Sequence, residues 1–191
     1  MRYDIEHKPA TRQRILASAG RRLKEDGIDR SGIATLMADA GLTNGAFYSH
    51  FSSKQELVAA AVAEQLSGQA AAFRAYGSTP VALEHFIRSY LTEWHLGHRA
   101  DGCPSAALLD EIGRCNESTR ATYTDALMSL VDDMAVAVGS GDVAAERAKT
   151  LSIYAMLVGT MQLARAVTDP NLATALLDRG VENAMNALRS S

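Results

Sequence analysis

Apolar residues in this 191-residue chain recur every three or four positions, the period of a helix that buries one face. Ile15, Leu16, Ala19 and Leu23 keep this spacing after Thr11, and Gly27 ends the run. Thr79-Pro80 and Asp169-Pro170 each read as a capping residue followed by proline at the first helical position. Ser53-Lys-Gln-Glu56 reads as a capping box that opens a long helix. Alternating strand patterns with hairpin turns are absent. The pattern predicts an all-α fold of nine helices, over 11–25, 31–39, 43–49, 53–76, 79–99, 104–114, 117–138, 142–167 and 170–189. Gly139-Ser-Gly-Asp142 and 100–103 read as loops, and no internal repeat or low-complexity tract is found.

The second and third of these helices are short and meet at Gly41-Leu42. Ile33, Leu36, Met37 and Ala40 line one face of the first, and Gly41 supplies a turn residue that takes positive φ at little cost. Thr43 stands at a capping position for the next helix, with Phe47 and Phe51 facing the core. Two short helices joined by a glycine turn match a helix-turn-helix, whose second helix enters the DNA major groove. The outward side of that helix carries Thr43, Asn44, Gly45, Ala46, Ser49, the tip of Tyr48 and, near its end, His50. Small residues allow close approach to base edges, and hydroxyls, imidazole and the helix N-terminus can bond phosphate oxygens. Asn44 suits adenine or a phosphate, and Lys54 offers a further phosphate contact. Each residue also has an ordinary role: Thr43 as a cap, Asn44 and Ser49 as solvated surface, Tyr48 as packing.

Charge sharpens this picture. The formal net charge is -3, against a protein that coats nucleic acid over its whole surface. Residues 1–60 hold nine Lys or Arg against seven Asp or Glu, and the remainder ten against fifteen. A mildly basic head on an acidic body suits contact with phosphate at one end. The 47% hydrophobic content is ordinary, and no stretch approaches the roughly 20 apolar residues of a membrane span. Met1 to Pro9 lacks the apolar run and cleavage site of a signal peptide, so a cytoplasmic location is expected, with Cys103 and Cys115 as thiols.

Residues 11–60 resemble the DNA-binding domain of the TetR family of repressors. The resemblance rests on Ile15-Leu16, Ala19, Leu23, Gly27, Ile33, Ala40-Gly41-Leu42, Gly45-Ala-Phe-Tyr48, His50-Phe51 and Ser53-Lys54. It departs at Asn44, where lysine is frequent, at Gly20, where a large apolar residue is usual, and at Gly32, where Thr or Ser is common. The resemblance implies a three-helix head (1–56) and a six-helix ligand-binding and dimerisation body (57–191). It also implies DNA contacts at Ser31, Thr43, Asn44, Gly45, Tyr48, His50 and Lys54. The partners it implies are double-stranded DNA with a palindromic operator, a small-molecule inducer and a second copy of the chain.

In such a family the last two helices form the dimer interface. Both are rich in apolar and small residues, too apolar for one buried stripe each, which points to a second buried face. Met156, Gly159, Leu163, Leu172, Leu176 and Val181 are its candidates; packing inside the monomer is the alternative. Candidate pocket residues are Phe86, Tyr90, Trp94, His98, Tyr123, Leu127, Met128, Met134, Tyr154 and Met161. Trp94 and Tyr123 stand out because each joins a large apolar surface to a polar handle. Aromatic and Met residues at this spacing also serve as plain core. Cys103 precedes Pro104 at a predicted helix start, where the positive helix end favours a thiolate. Its Gly-Cys motif resembles that of family members that sense electrophiles or oxidants, while a small buried hydrophobe is the ordinary reading.

Two rival classes fit less well. No Glu-x-x-His pair, Ser-His-Asp set or glycine-rich phosphate loop supports an enzyme. The His85, His95, His98, Glu84 and Glu93 group reduces to a lone i,i+3 histidine pair, so no metal or cofactor is expected. A helical protein-binding adaptor leaves the small polar face at 43–50 unexplained.

Overall fold

The computed structural model describes the backbone of residues 2–139 and 141–190, with side chains from residue 8 onward. Ser140, in the predicted 139–142 loop, lies outside the described residues. The described chain is all helical: α1 (Arg2–Asp26), α2 (Ile33–Asp39), a 3₁₀ helix (Asn44–Ser49), α3 (Lys54–Ala75), α4 (Pro80–Tyr90), α5 (Glu93–Gly97), a 3₁₀ turn (Arg99–Asp101), α6 (Pro104–Gly113), α7 (Glu117–Ala135), α8 (Val143–Ala166) and α9 (Pro170–Arg189). The Thr79 and Asp169 side chains cap α4 and α9, accepting from Ala82 N at 3.2 Å and Asn171 N at 2.9 Å.

The main differences from the sequence reading are three. Helix α1 starts at Arg2 and carries Pro9 in its interior, whereas the apolar stripe marks a helix only from Ile15 on. The expected helix over 79–99 is two helices. Leu91 leaves helical geometry at ψ 70°, and Thr92 recaps the chain by accepting from His95 N at 3.2 Å. The expected helix over 43–49 is a 3₁₀ helix, closed by i→i+3 bonds such as Ala46 N to Thr43 O at 3.1 Å.

The chain forms two compact units, residues 1–65 with 100–125 and residues 66–99 with 126–191. These cut the chain differently from the expected boundary at 56/57, because α6 packs on α1. In the first unit Ile15, Ala19, Leu23, Leu36, Met37, Phe47, Phe51, Leu57 and Leu108 form the buried core. Polar ties join α6 and its flanks to the N-terminal segment. The buried Lys24 ammonium donates to Gly102 O at 2.6 Å, and Arg21 pairs with Asp101. Glu111 accepts from Ile28 N at 2.6 Å and Asp29 N at 3.3 Å. Thr119 Oγ1 donates to Gln55 O at 3.5 Å. Gly27, at φ +89°, leaves room for Glu111: a Cβ there would stand 2.8 Å from its Oε1.

In the second unit α8 and α9 pair along their length. Ile153, Tyr154, Leu157, Val158, Met161 and Ala164 of α8 are buried, as are Ala173, Leu177, Gly180, Ala184 and Met185 of α9. Small residues set this spacing, since a Cβ on Gly180 would collide with Thr160 at 2.6 Å and Leu91 at 2.8 Å.

Candidate nucleic-acid interface

The Asn44–Ser49 segment is fixed from behind and bare in front. Helix α2 ends in a Schellman motif: Leu42 N bonds Met37 O and Gly41 N bonds Ala38 O, both at 2.9 Å, with Gly41 at φ +69°. This sharp exit turns the chain into Asn44–Ser49. There Phe47 is fully buried, and Phe51 packs against it at 5.8 Å between centroids. The Phe47 ring also meets Tyr48 edge-on at 5.2 Å, although Tyr48 itself is 70% exposed. Full burial of one ring beside exposure of the next is what lets six residues act as a rigid platform.

Thr43, Asn44, Gly45, Tyr48 and Ser49 are all exposed. Thr43 occupies the N-cap position, but its hydroxyl makes no capping bond. A Cβ on Gly45 would meet nothing within 4 Å, so the backbone is open to close approach there. The Ser49 hydroxyl is spent on Ala46 O at 2.7 Å, which tightens the segment. His50 is partly buried, and its Nδ1 has no protein partner. Burial, followed by the positive charges of Lys8 and Arg12, holds its pKa below the usual histidine value. Lys54 opens α3, where Ser53 Oγ accepts from Glu56 N at 3.1 Å. Glu56 reaches back to Ser52 N at 2.7 Å rather than to Ser53, shifting the capping box by one residue. Ser31 is placed differently from expectation. It is 1% exposed, and its hydroxyl donates inward to Gly27 O at 2.7 Å, so its side chain is no DNA contact.

The body candidates divide. Tyr90, Tyr154 and Met161 are buried in the second unit, where Tyr90 packs 5.8 Å from the half-buried Phe86 and 6.2 Å from Tyr154. Leu127 and Met128 are half-buried, and Met134 is fully buried. Trp94 and His98 do not join this group. They stack on each other at 4.7 Å on the surface, with Trp94 57% exposed. The break at Leu91–Thr92 is the cause: it resets the helical phase so that His95, not Trp94, turns inward and its Nδ1 meets Tyr90 O at 2.7 Å. Tyr123 belongs to the first unit, where its hydroxyl bonds Ser105 Oγ at 3.0 Å. Cys103 is the N-cap of α6 and 2% exposed, and neither cysteine is in a disulfide. Among the described residues no cluster of His, Cys, Asp or Glu suits a metal ion.

Pattern reasoning missed two features. Gly20 makes space for Gln65, whose side-chain amide fills the notch where a Cβ would stand. Glu111 clamps the turn after α1, a long-range contact that no local spacing reveals.

This geometry is that of a helix-turn-helix set in an all-helical unit. Residues 15–61 match the family model of the bacterial regulatory proteins, tetR family. Solved structures agree over nearly the whole chain. The reduced form of E. coli NemR has a TM-score of 0.76 at 16% identity, over 93% of this chain and 96% of that one. A TetR-family regulator from Agrobacterium tumefaciens has 0.73 at 21%, over 92% and 98%. FadR from Bacillus subtilis, in complex with stearoyl-CoA, has 0.65 at 14%, over 92% and 98%. No curated protein matches the chain. Residues 15–61 are thus similar to that family, and the chain as a whole shares the fold of solved TetR-family regulators. Among the described residues no helix is long and apolar enough to cross a membrane.

Proposed function

We propose that this chain is a cytoplasmic homodimeric repressor that grips a palindromic operator and releases it when a small molecule binds the body. The observation that carries the reading is the bare face of the Asn44–Ser49 segment over a fully buried Phe47. Thr43, Asn44 and Gly45 meet the groove floor, while Tyr48, His50 and Lys54 bond phosphates.

The second copy docks on α8 and α9. Ser152, Ala155, Met156, Gly159, Leu163 and Ala166 recur at i, i+3, i+4 and i+7 on the outer side of α8, all exposed or half-buried. Leu163 and Leu172 are 59% and 48% exposed, and a Cβ on Gly159 would meet nothing within 4 Å. Leu176 and Val181 are half-buried on α9. Two such pairs make a four-helix contact with close backbone approach.

Phe86, Tyr90, Leu127, Met128, Tyr154 and Met161 are the proposed inducer contacts. An inducer that binds a non-reading arrangement more tightly lowers DNA affinity by that difference. Modification of Cys103 is a second route to release, because its neighbour Gly102 holds Lys24 of α1. Selection of bound duplexes from a random pool tests the main reading. Two inverted half-sites about one helical turn apart support it, and a single asymmetric site overturns the dimeric grip. For Cys103, an electrophile releases DNA from the wild type and not from Cys103→Ser; release from both removes that route.

A further inference from the structure

Two cations lie upstream of both the matched region and the contacts named above. The stripe of α1 that buries Leu16 and Leu23 continues toward the N-terminus at Arg12 and Lys8, one and two turns before Leu16. There the stripe changes from apolar to cationic, where α1 passes the end of the reading segment. The Arg12 guanidinium lies 4.8 Å from the centroid of the Phe51 ring. That ring is the one packed against Phe47 behind the reading face. Lys8 is exposed, and the charges of both cations are felt at the His50 ring.

Near this corner stands one described carboxylate with a resolved electrostatic effect from Arg12, Glu56, and no ion pair joins it to Arg12 or Lys8. Glu56 is within the field of Arg12, but one of its oxygens is committed to Ser52, accepting from N at 2.7 Å and from Oγ at 2.6 Å. Neither Lys8 nor Arg12 forms an ion pair with a described residue. Stacking on Phe51 orders the guanidinium while its N–H edges stay available, the geometry that suits a bidentate phosphate contact. The exposed ammonium one turn away adds a point charge in the same direction.

We propose that Lys8 and Arg12 form a second phosphate-binding arm, which flanks the His50 end of the reading segment and extends the DNA footprint beyond the helix-turn-helix. The proposal rests on the DNA-binding reading, and its test separates the two. The full-length chain is titrated with a duplex it selects and with a random-sequence duplex, by fluorescence anisotropy over a range of salt. Removing a phosphate contact lowers the slope of log affinity against log salt by about 0.9. K8A and R12Q each produce this change, and the double variant loses roughly tenfold or more in affinity on both duplexes. R12K keeps the charge and restores the slope. An Arg12 that only props Phe51 instead lowers the melting temperature and leaves the slope of R12Q at the wild-type value. A double variant with wild-type slope, beside a Lys54→Ala variant that binds weakly, overturns the arm and spares the reading. If the wild-type chain binds neither duplex in dilute salt, the DNA reading fails and the arm with it.

Discussion

Two surfaces of this protein share a construction and differ in finish. The Asn44–Ser49 segment and the α8–α9 pair each bury one side against their own unit and leave the other bare. Over Phe47 the bare side carries a hydroxyl, an amide, a phenol and an open backbone. On α8 it carries Ala155, Met156, Gly159, Leu163 and Ala166. A polyanion pairs with hydrogen-bonding groups and penalises exposed leucine, whereas a second protein helix pairs with apolar and small ones. On the proposed reading, the finish of the uncovered side, more than the fold beneath it, selects its partner.

The sharpest break in this comparison comes from beneath the reading face. Phe47→Ala deletes a fully buried ring and is expected to cost about 3–5 kcal/mol in chemical denaturation, with DNA binding lost. Tyr48→Ala, one residue along, changes stability by less than about 0.5 kcal/mol because its ring is already in water. It weakens binding to all duplexes alike. If both variants lose stability equally, the segment is simply core and the platform idea fails.

Leu163→Asp tests the other surface. A charge in an apolar four-helix contact is expected to split the dimer by sedimentation while the chain stays folded, since Leu163 is 59% exposed in the single chain. DNA affinity falls with it through loss of the paired half-site. A dimer that survives this change and Gly159→Leu places the contact elsewhere.

Glu111→Ala leaves the amides of Ile28 and Asp29 without their carboxylate, for an expected loss of about 1–3 kcal/mol. The effect should appear as faster amide exchange at residues 27–31. No change there would mean that the clamp does not order the turn.

The turn at Gly41 and the burial of Phe47 and Phe51 are legible in the sequence because their signals are local. Gly41, Phe47, Phe51 and the Ser53–Glu56 cap all act within about one helical turn of the residues they position. Ser31 differs from expectation because its inward bond to Gly27 O depends on how the turn after α1 folds. Trp94 differs from expectation for a related reason. Helical period places it beside Tyr90 only if the chain runs unbroken through Leu91, and a single threonine cap resets that phase. The association of α6 with the N-terminal helices rests on Lys24 to Gly102 and Glu111 to Ile28, contacts between residues about 80 positions apart. No periodicity encodes such pairs.

The smallest expected effect is a pH dependence at His50, which closes the Asn44–Ser49 segment. In the free protein, burial and the cations Lys8 and Arg12 disfavour the imidazolium, so the ring is neutral at pH 7. Its folded pKa lies below its unfolded one, so its contribution to stability is intact above about pH 6.5 and declines as the pH falls below that value. DNA binding runs the opposite way. Phosphates beside the ring favour the proton, so the complex takes one up and affinity rises as the pH falls toward the range in which the free ring is protonated. A surface charge contact of about 0.5–1 kcal/mol makes this gain roughly twofold to fivefold. His50→Gln keeps a hydrogen-bonding side chain and is expected to flatten the profile. An affinity profile of the wild type that is already flat from pH 7.5 to 5.5, with the fold intact, would place His50 away from phosphate and end the reading face at Ser49.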